Sequence, residues 1–518
     1  MTFHPGVAQV TGQPTLPGEP CQTAPLENWT PQEQWVWSKA CVGEIADFNK
    51  EPAYGGDLDP NEPEGWPEIR VLTPRFLETI LLHEPFRSAQ TRRGVRIVGA
   101  WFKRRIDLTG AEIERELWLN RSRLDNGGWL GDARTGVLSL RGSVVGGQLI
   151  LERAEIGILV MDEGAKFQEV GLPQAKIAGQ LSMIGSTFAG TLHMNGATVE
   201  GSLFMHGGAE FQEVNLLGAN IGNQLSMSGS TFAGTLDMNS ATVEGHLLMR
   251  EDADFQDVDL RWAKIGGQLS MNGSTFAGTI NLRGATVVGE LQLSTADDES
   301  VWETGSILDL RHAKVGRLAA RVGKSSPGST RLAGFTYDAL GTTASQTAES
   351  ESAEEAADFV EWWLREEEAH SPQAHEQFAL VLRQMGFPDR ARRTLYEGKN
   401  HELWEELRRV HLLQAGWLFV LWAMIGYGYR VWHALLWIAA LVAVGWLIAR
   451  KSGRKVPGNG EPLGFWYSVD RLLPIVELRK RHYEVDLPQR SRVYFYFHTV
   501  MGYVLATFLL AGLSGLVG

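Results

Sequence analysis

The chain has 518 residues, 44% of them hydrophobic, and a net charge of −13. That length exceeds one ordinary domain, and the acidity argues against nucleic-acid binding except through local basic patches. The two cysteines, Cys21 and Cys41, are neither a disulfide framework nor a zinc set, and their scarcity fits a reducing compartment.

Residues 1–93 read as an N-terminal region and helical cap. The opening "MTFHPGVAQVTGQPTLPGEP" is polar and proline-rich, unlike a secretory signal. Helices are expected over "PQEQWVWSKACVGEIADF" and over "TPRFLETILLH", the second with Thr73 as N-cap. A cap here hides the first open strand edge of a stacked repeat domain. Arg92, Arg93, Arg96, Lys103, Arg104 and Arg105 then cluster, joined by Arg115, Arg121 and Arg123. They make either a basic binding face or, the favoured reading, a solvated coil surface.

Residues 94–316 repeat. "GQLSMIGSTFAGTLHMNGATVE" begins at Gly179 and returns at Asn223 and at Gly267, 44 residues apart each time. Within that unit Leu181, Leu192, Leu203 and Val214 stand 11 apart, and the same step continues to Leu291. Each 11-mer offers a short alternating strand and a Gly-Ala corner, and it cannot bury its apolar face alone. Stacked copies can, so the expected fold is a right-handed β-solenoid with about 22 residues per coil and an 11-residue sub-repeat. Ten coils stacked ~4.8 Å apart give a rod of roughly 50 Å. Three or four strands per coil fit the periodicity equally. Outward positions such as His193, Asp237 and Asn281 vary, while inward ones hold. The Ser and Thr residues of "GSTFAGT" read as corner and coil-surface chemistry. No Lys follows the glycines at phosphate-loop spacing.

Residues 317–358 read as a connector and acidic flexible linker, "GTTASQTAESESAEEAAD" being low in complexity. Residues 359–411 read as a tetratricopeptide-like helical hairpin turning at Gly386, which docks peptides or braces the rod. Residues 412–518 read as a membrane domain. Helices are expected near 412–429, 431–449 and 495–517, the first being short for a span. Ten Lys or Arg between residues 450 and 494 mark that stretch as cytoplasmic, and three crossings then keep the solenoid on the same side. Segment 461–478 is amphipathic. It either lies at the interface, the favoured reading, or re-enters between the last two spans as part of a pore. His433, Asp470, Arg471, Glu477 and His498 are the polar membrane residues of any pathway.

"HEPFRSAQTRRGVRIVGAWFKRRIDL", "LAGFTYDAL", "PQAHEQFALVLRQMGFPDRARRTL", "IGYGYRVWHALLW" and the "LLPIV" and "GYVLATFLLAGLSGLV" runs together resemble a group of uncharacterised bacterial membrane proteins. These carry pentapeptide-like repeats and are sometimes labelled membrane-associated oxidoreductases. The resemblance covers the chain from about Trp66 onward. It implies redox chemistry at a bacterial inner membrane, although the period here is 11 and not a multiple of five. The sequence carries no dinucleotide fingerprint, no Cys-x-x-Cys and no metal-ligand cluster, and "HELWEEL" lacks a zincin's second His. The residues themselves point to no catalytic group, cofactor or metal. They point to a membrane-anchored scaffold or sensor whose partners are the lipid bilayer, a protein on the solenoid surface and, on the pore alternative, further copies of the chain.

Overall fold

The computed structural model describes residues 21–62, 64–294, 299–321, 327–341, 346–365, 367, 371–408, 412–428, 430, 432–457, 460–473 and 478–513, and side chains in that set except those of 346–352, 408, 412, 413 and 511–513. The chain divides into one compact unit ending at Ala369 and another from His370 on.

The first unit is a parallel β-solenoid of about eleven turns. One unbroken column runs Val95, Leu117, Leu138, Leu159, Leu181, Leu203, Leu225, Leu247, Leu269, Leu291, Leu318, Leu340, each residue paired in parallel with the next. All twelve are buried. Each coil passes four sides, which decides between three and four. In one coil these are Lys176–Ile177, Leu181–Ser182, and the two halves of Thr187–His193, which bulges between Phe188 and Thr191. Leu181 and Leu192 fall in opposite sheets, so an 11-mer is half a coil.

Four inward columns fill the space between the sheets: the leucines above, an Ile/Val column (Ile177, Val199, Ile221, Val243, Ile265, Val287), a Leu/Val column through Leu192, and a phenylalanine column. In the last, Phe167, Phe188, Phe211, Phe232, Phe255, Phe276 and Trp302 stack with centroids 4.7–5.5 Å apart. Each stacked pair adds about 1 kcal/mol beyond its burial. The corners are left-handed: Gly196 has φ 65° and Ala197 closes the turn back on Met194.

The serines of the repeat depart from the surface reading. Ser186, Ser230 and Ser274 are buried. Ser230 accepts a hydrogen bond from the Ala209 amide at 2.9 Å, and Ser274 from that of Ala253 at 3.2 Å. They alternate with Ala165, Ala209 and Ala253 in successive coils, which helps explain a 44-residue rather than a 22-residue repeat. One Ser per two coils fastens neighbours through an amide that the strand ladder leaves over.

The ladder also runs past Gly316. Strands Ser329–Arg331 and Thr336–Leu340 pair with Ile307–Asp309 and Lys314–Leu318. The Gly-Ser run "GKSSPGST" concealed that step in the sequence.

At the N-terminal edge, Ala46–Asp47 pairs with Ile97–Val98. Helix α1 (Pro31–Cys41) and helix α2 (Pro74–Leu82) share one carboxylate. Glu33 accepts the Thr30 amide at 2.9 Å, and from α2 it takes the Thr73 amide at 3.0 Å and hydroxyl at 2.6 Å. Helix α3 (Phe86–Ala89) comes next. Cys21 and Cys41 form a disulfide, whereas their scarcity reads as fitting a reducing compartment. Twenty residues separate them, and α1 with the segment before it brings them together.

At the other end the acidic stretch is no flexible linker. Helix α4 spans Gln346–Arg365. Its Glu-rich face conceals an apolar stripe at helical spacing: Ala353, Ala356, Ala357, Val360, Trp363 and Leu364 are buried. The helix packs on the strands at 314–319 and 336–340, with Trp363 edge-on to Phe335.

The second unit is helical. Helix α5 (Pro372–Gln384) packs on α6 (Pro388–Arg408), and α6 on α7 (Leu412–Ile425). Helix α8 (Trp432–Lys451) and α10 (Gln489–Leu513) hold α9 (Phe465–Leu472) between them. Two helices, over 432–451 and 489–510, are long and apolar enough to cross a membrane. Helix α7 is not: fourteen residues reach about 21 Å against the ~30 Å of a bilayer core. It also lies along the charged α6, Trp422 donating to the Tyr396 hydroxyl at 2.9 Å. Tyr427, at φ 57°, breaks the chain between α7 and α8.

Candidate functional site

Among the described residues no group of three or more His, Cys, Asp or Glu is placed to hold a metal ion. A hollow of about 580 Å³ is an open groove along one side of the solenoid. Its charged lining is Glu112, Glu114, Arg134, Glu155, Lys176 and Glu200. Glu112, Arg134, Glu155 and Lys176 are register neighbours in the ladder. Arg134 bridges Glu112 at 3.4 Å and Glu155 at 3.0 Å. Alternating sign at one-coil spacing neutralises like-charge repulsion down the stack.

A second column looks variable in sequence and is structural in space. Asn215, Asp237, Asp259, Asn281 and Asp309 are successive neighbours. Each side-chain oxygen accepts the amide two residues on, at 2.9–3.1 Å. Only Asp and Asn make that local turn readily. Asp309 is the buried member. Burial alone would raise its carboxyl pKa, but the Arg311 side chain and amide, with Arg331 behind, hold it below the ordinary carboxylate range.

Several of the clustered cations are engaged in local contacts. Arg96 donates to the Gly43 carbonyl at 2.6 Å and lies over Trp118. Arg93 reaches the same carbonyl at 3.4 Å. Lys103 pairs with Glu68 and lies over Trp101, and Arg105 lies over Trp129. Arg92 and Arg104 are exposed. The deepest cation of this region is one that the sequence did not single out. Arg70 is fully buried and donates to the carbonyls of Tyr54, Gly56, Phe48 and Gly99 and to Asn49. Desolvation lowers its pKa.

Of the polar membrane candidates, the structure gathers three. Asp470 is fully buried on α9. Its carboxylate accepts the amides of Leu478 at 2.7 Å and Arg479 at 3.2 Å, and His482 Nδ1 lies at 2.8 Å. Arg471 stacks on Tyr483, and its carbonyl accepts the Thr499 hydroxyl. His498 on α10 is buried, 3.0 Å from the Ser468 carbonyl and 3.3 Å from the Tyr494 hydroxyl. His433 lies apart from this group, at the start of α8, facing the Trp422 carbonyl at 3.3 Å. Glu477 falls outside the described residues. His482, Ser468 and Tyr494 were missed. "RKRHY" reads as charge in a linear sequence, and only the return of the chain after α9 brings its His to Asp470. The packing is tight: a Cβ at Gly445 would strike the Ser468 hydroxyl, and one at Gly502 the Leu472 carbonyl. Asp470 closes a loop and His498 joins two helices.

No family model, no curated protein and no solved structure matches this chain.

Proposed function

We propose that this protein is a membrane-anchored β-solenoid scaffold: a stiff rod that presents protein-binding surface, held at a bilayer by α8 and α10. The observation that carries this is the division of labour between the two units. One spends its residues on a repeating core and a surface that carries an open groove. The other turns large apolar side chains outward, among them Leu435, Leu436, Leu447, Val493, Phe497, Val500 and Leu510. Such a belt on helices of spanning length suits lipid. The segments before α2 and at α4 fit end caps that shield the two open edges of the stack. Helices α5 and α6 fit a tetratricopeptide-like hairpin, and a right-handed coil is the hand we assign to the solenoid.

The scaffold reading is tested by placing a photo-cross-linking residue at Lys176, Glu210 or Asp254, all exposed, in the living cell. A discrete protein adduct from at least one position is expected. Absence of any adduct at all outward positions contradicts a scaffold.

The membrane side depends on the number of crossings. Three would keep the solenoid with the basic connector 452–488; two place them on opposite faces. We infer two crossings, by α8 and α10, which would set the solenoid on the non-cytoplasmic face, where a Cys21–Cys41 disulfide would persist. Protease added outside intact spheroplasts should then degrade the solenoid; full protection returns it to the cytoplasm.

A further inference from the structure

The second unit is electrically lopsided. Helices α8 and α10 meet at two apolar clusters. One joins Ala449, Leu463, Tyr467, Leu487 and Phe495; the other joins Ile425, Ala434 and Leu505. The two helices therefore run antiparallel, and the first cluster marks the end where α8 finishes and α10 begins. At that end Arg454, Lys455, Arg479, Lys480, Arg481 and Arg490 are all exposed. Three exposed carboxylates, Glu461, Glu484 and Asp486, share the same connector, and Asp486 is paired with Arg492. At the opposite end Arg430 lies over Tyr396. The cations do not float on a loose loop. A Lys455–Pro462 bridge closes one turn of the connector, and Asp470, holding the Leu478 and Arg479 amides and His482, pins the other. Next to them stand exposed Phe465, Trp466, Leu473, Leu478 and Tyr483. Aromatic rings at the rim of an apolar belt sit at headgroup depth.

We propose that this fixed cationic rim binds the headgroups of anionic phospholipids, selecting negatively charged over neutral lipid around α8, α9 and α10. The inference rests on the membrane reading above. The occupant is argued from two features together: a dense positive charge on the connector between α8 and α10, and its continuity with the apolar belt that places it at the lipid phosphates. Positive charge in that position attracts anionic lipid by about fivefold per residue near the surface. The Asp470 clamp has the role of holding Arg479, Lys480 and Arg481 in one place, and not of carrying a substrate.

The test reconstitutes the full chain in phosphatidylcholine vesicles containing a small fraction of brominated phosphatidylglycerol or, separately, brominated phosphatidylcholine. Tryptophan quenching by each is compared. Brominated phosphatidylglycerol should quench more at equal fraction. The excess should shrink in high salt and fall by at least tenfold, as a ratio of association constants, in the Arg454→Gln, Lys455→Gln, Arg479→Gln, Lys480→Gln, Arg481→Gln variant. These five side chains are exposed, so the variant should keep the wild-type circular dichroism. Equal quenching by both lipids in the wild type overturns the lipid preference and leaves the membrane reading standing. Quenching by neither, with protein left outside the vesicles, overturns the membrane reading itself. Loss of the preference when a single-stranded oligonucleotide is added at physiological salt assigns the rim to a soluble polyanion and also overturns the proposal.

Discussion

Asp309 shows how a single side chain serves the stack. It turns one corner through the Arg311 amide and ties that corner to the next coil through Arg331, at 3.8 Å. Because its folded pKa lies below the unfolded value, its contribution is present above the ordinary carboxylate range near 4 and is lost as pH falls through the folded value. Asp309→Asn should therefore be less stable than the parent at pH 7, by about 1–2 kcal/mol. The gap should close as pH falls through the folded pKa, which denaturant unfolding across an acid pH series would read. Equal stability at pH 7 would show that the pair is only a surface ornament. Residues differ in how legible they are from sequence. Thr73 was readable as an N-cap, since a Thr before Pro and an apolar stripe obeys local rules. Glu33 and Arg70 were not. Their partners lie 40 and up to 29 residues away, and a buried Arg satisfied by carbonyls leaves no charge pattern to find.

Among elements, the repeat was the most legible because its period is strict and each residue's environment recurs. Its Leu column, the 22-residue coil and the Gly-Ala corners all derive from it. Elements that obey the pattern only once were hidden. The step to Leu340 lies behind two irregular insertions, and α4 behind a composition that resembles disorder. There the apolar stripe at positions 353, 356, 357, 360 and 364 was the available signal, outweighed by the acidic residues between. Because each coil touches only its neighbours, stability is nearly a sum over coils. Removing residues 223–266, two whole coils, should leave a folded rod that melts cooperatively, with the join at Gly222 and Gly267 restoring register. Native circular dichroism and a single transition are expected. An unfolded product would contradict independent coils. Removing 223–244, one coil, should cost more, since it breaks the alternation of Ser230 with Ala209 and Ala253.

At the scale of the whole molecule, hydropathy announced the apolar helices but not their lengths among the described residues. Composition gave α7 the same signature as α8. What separates them is tertiary: α7 ends at Ile425, where the Tyr427 turn stops it, and lies on a charged helix. The polar cluster around Asp470 and His498 was half legible, since charged residues in apolar runs attract attention while the loop that returns His482 to Asp470 leaves no periodic trace. The account therefore stands on α8 and α10 as the anchor of an otherwise water-facing rod. The direct measurement is alkaline carbonate extraction of membranes from cells making either the full chain or residues 1–369. The full chain should stay in the membrane pellet and the shorter chain should be released. Release of the full chain into the supernatant would show that α8 and α10 are the core of a soluble domain, and the anchored scaffold would fall with it.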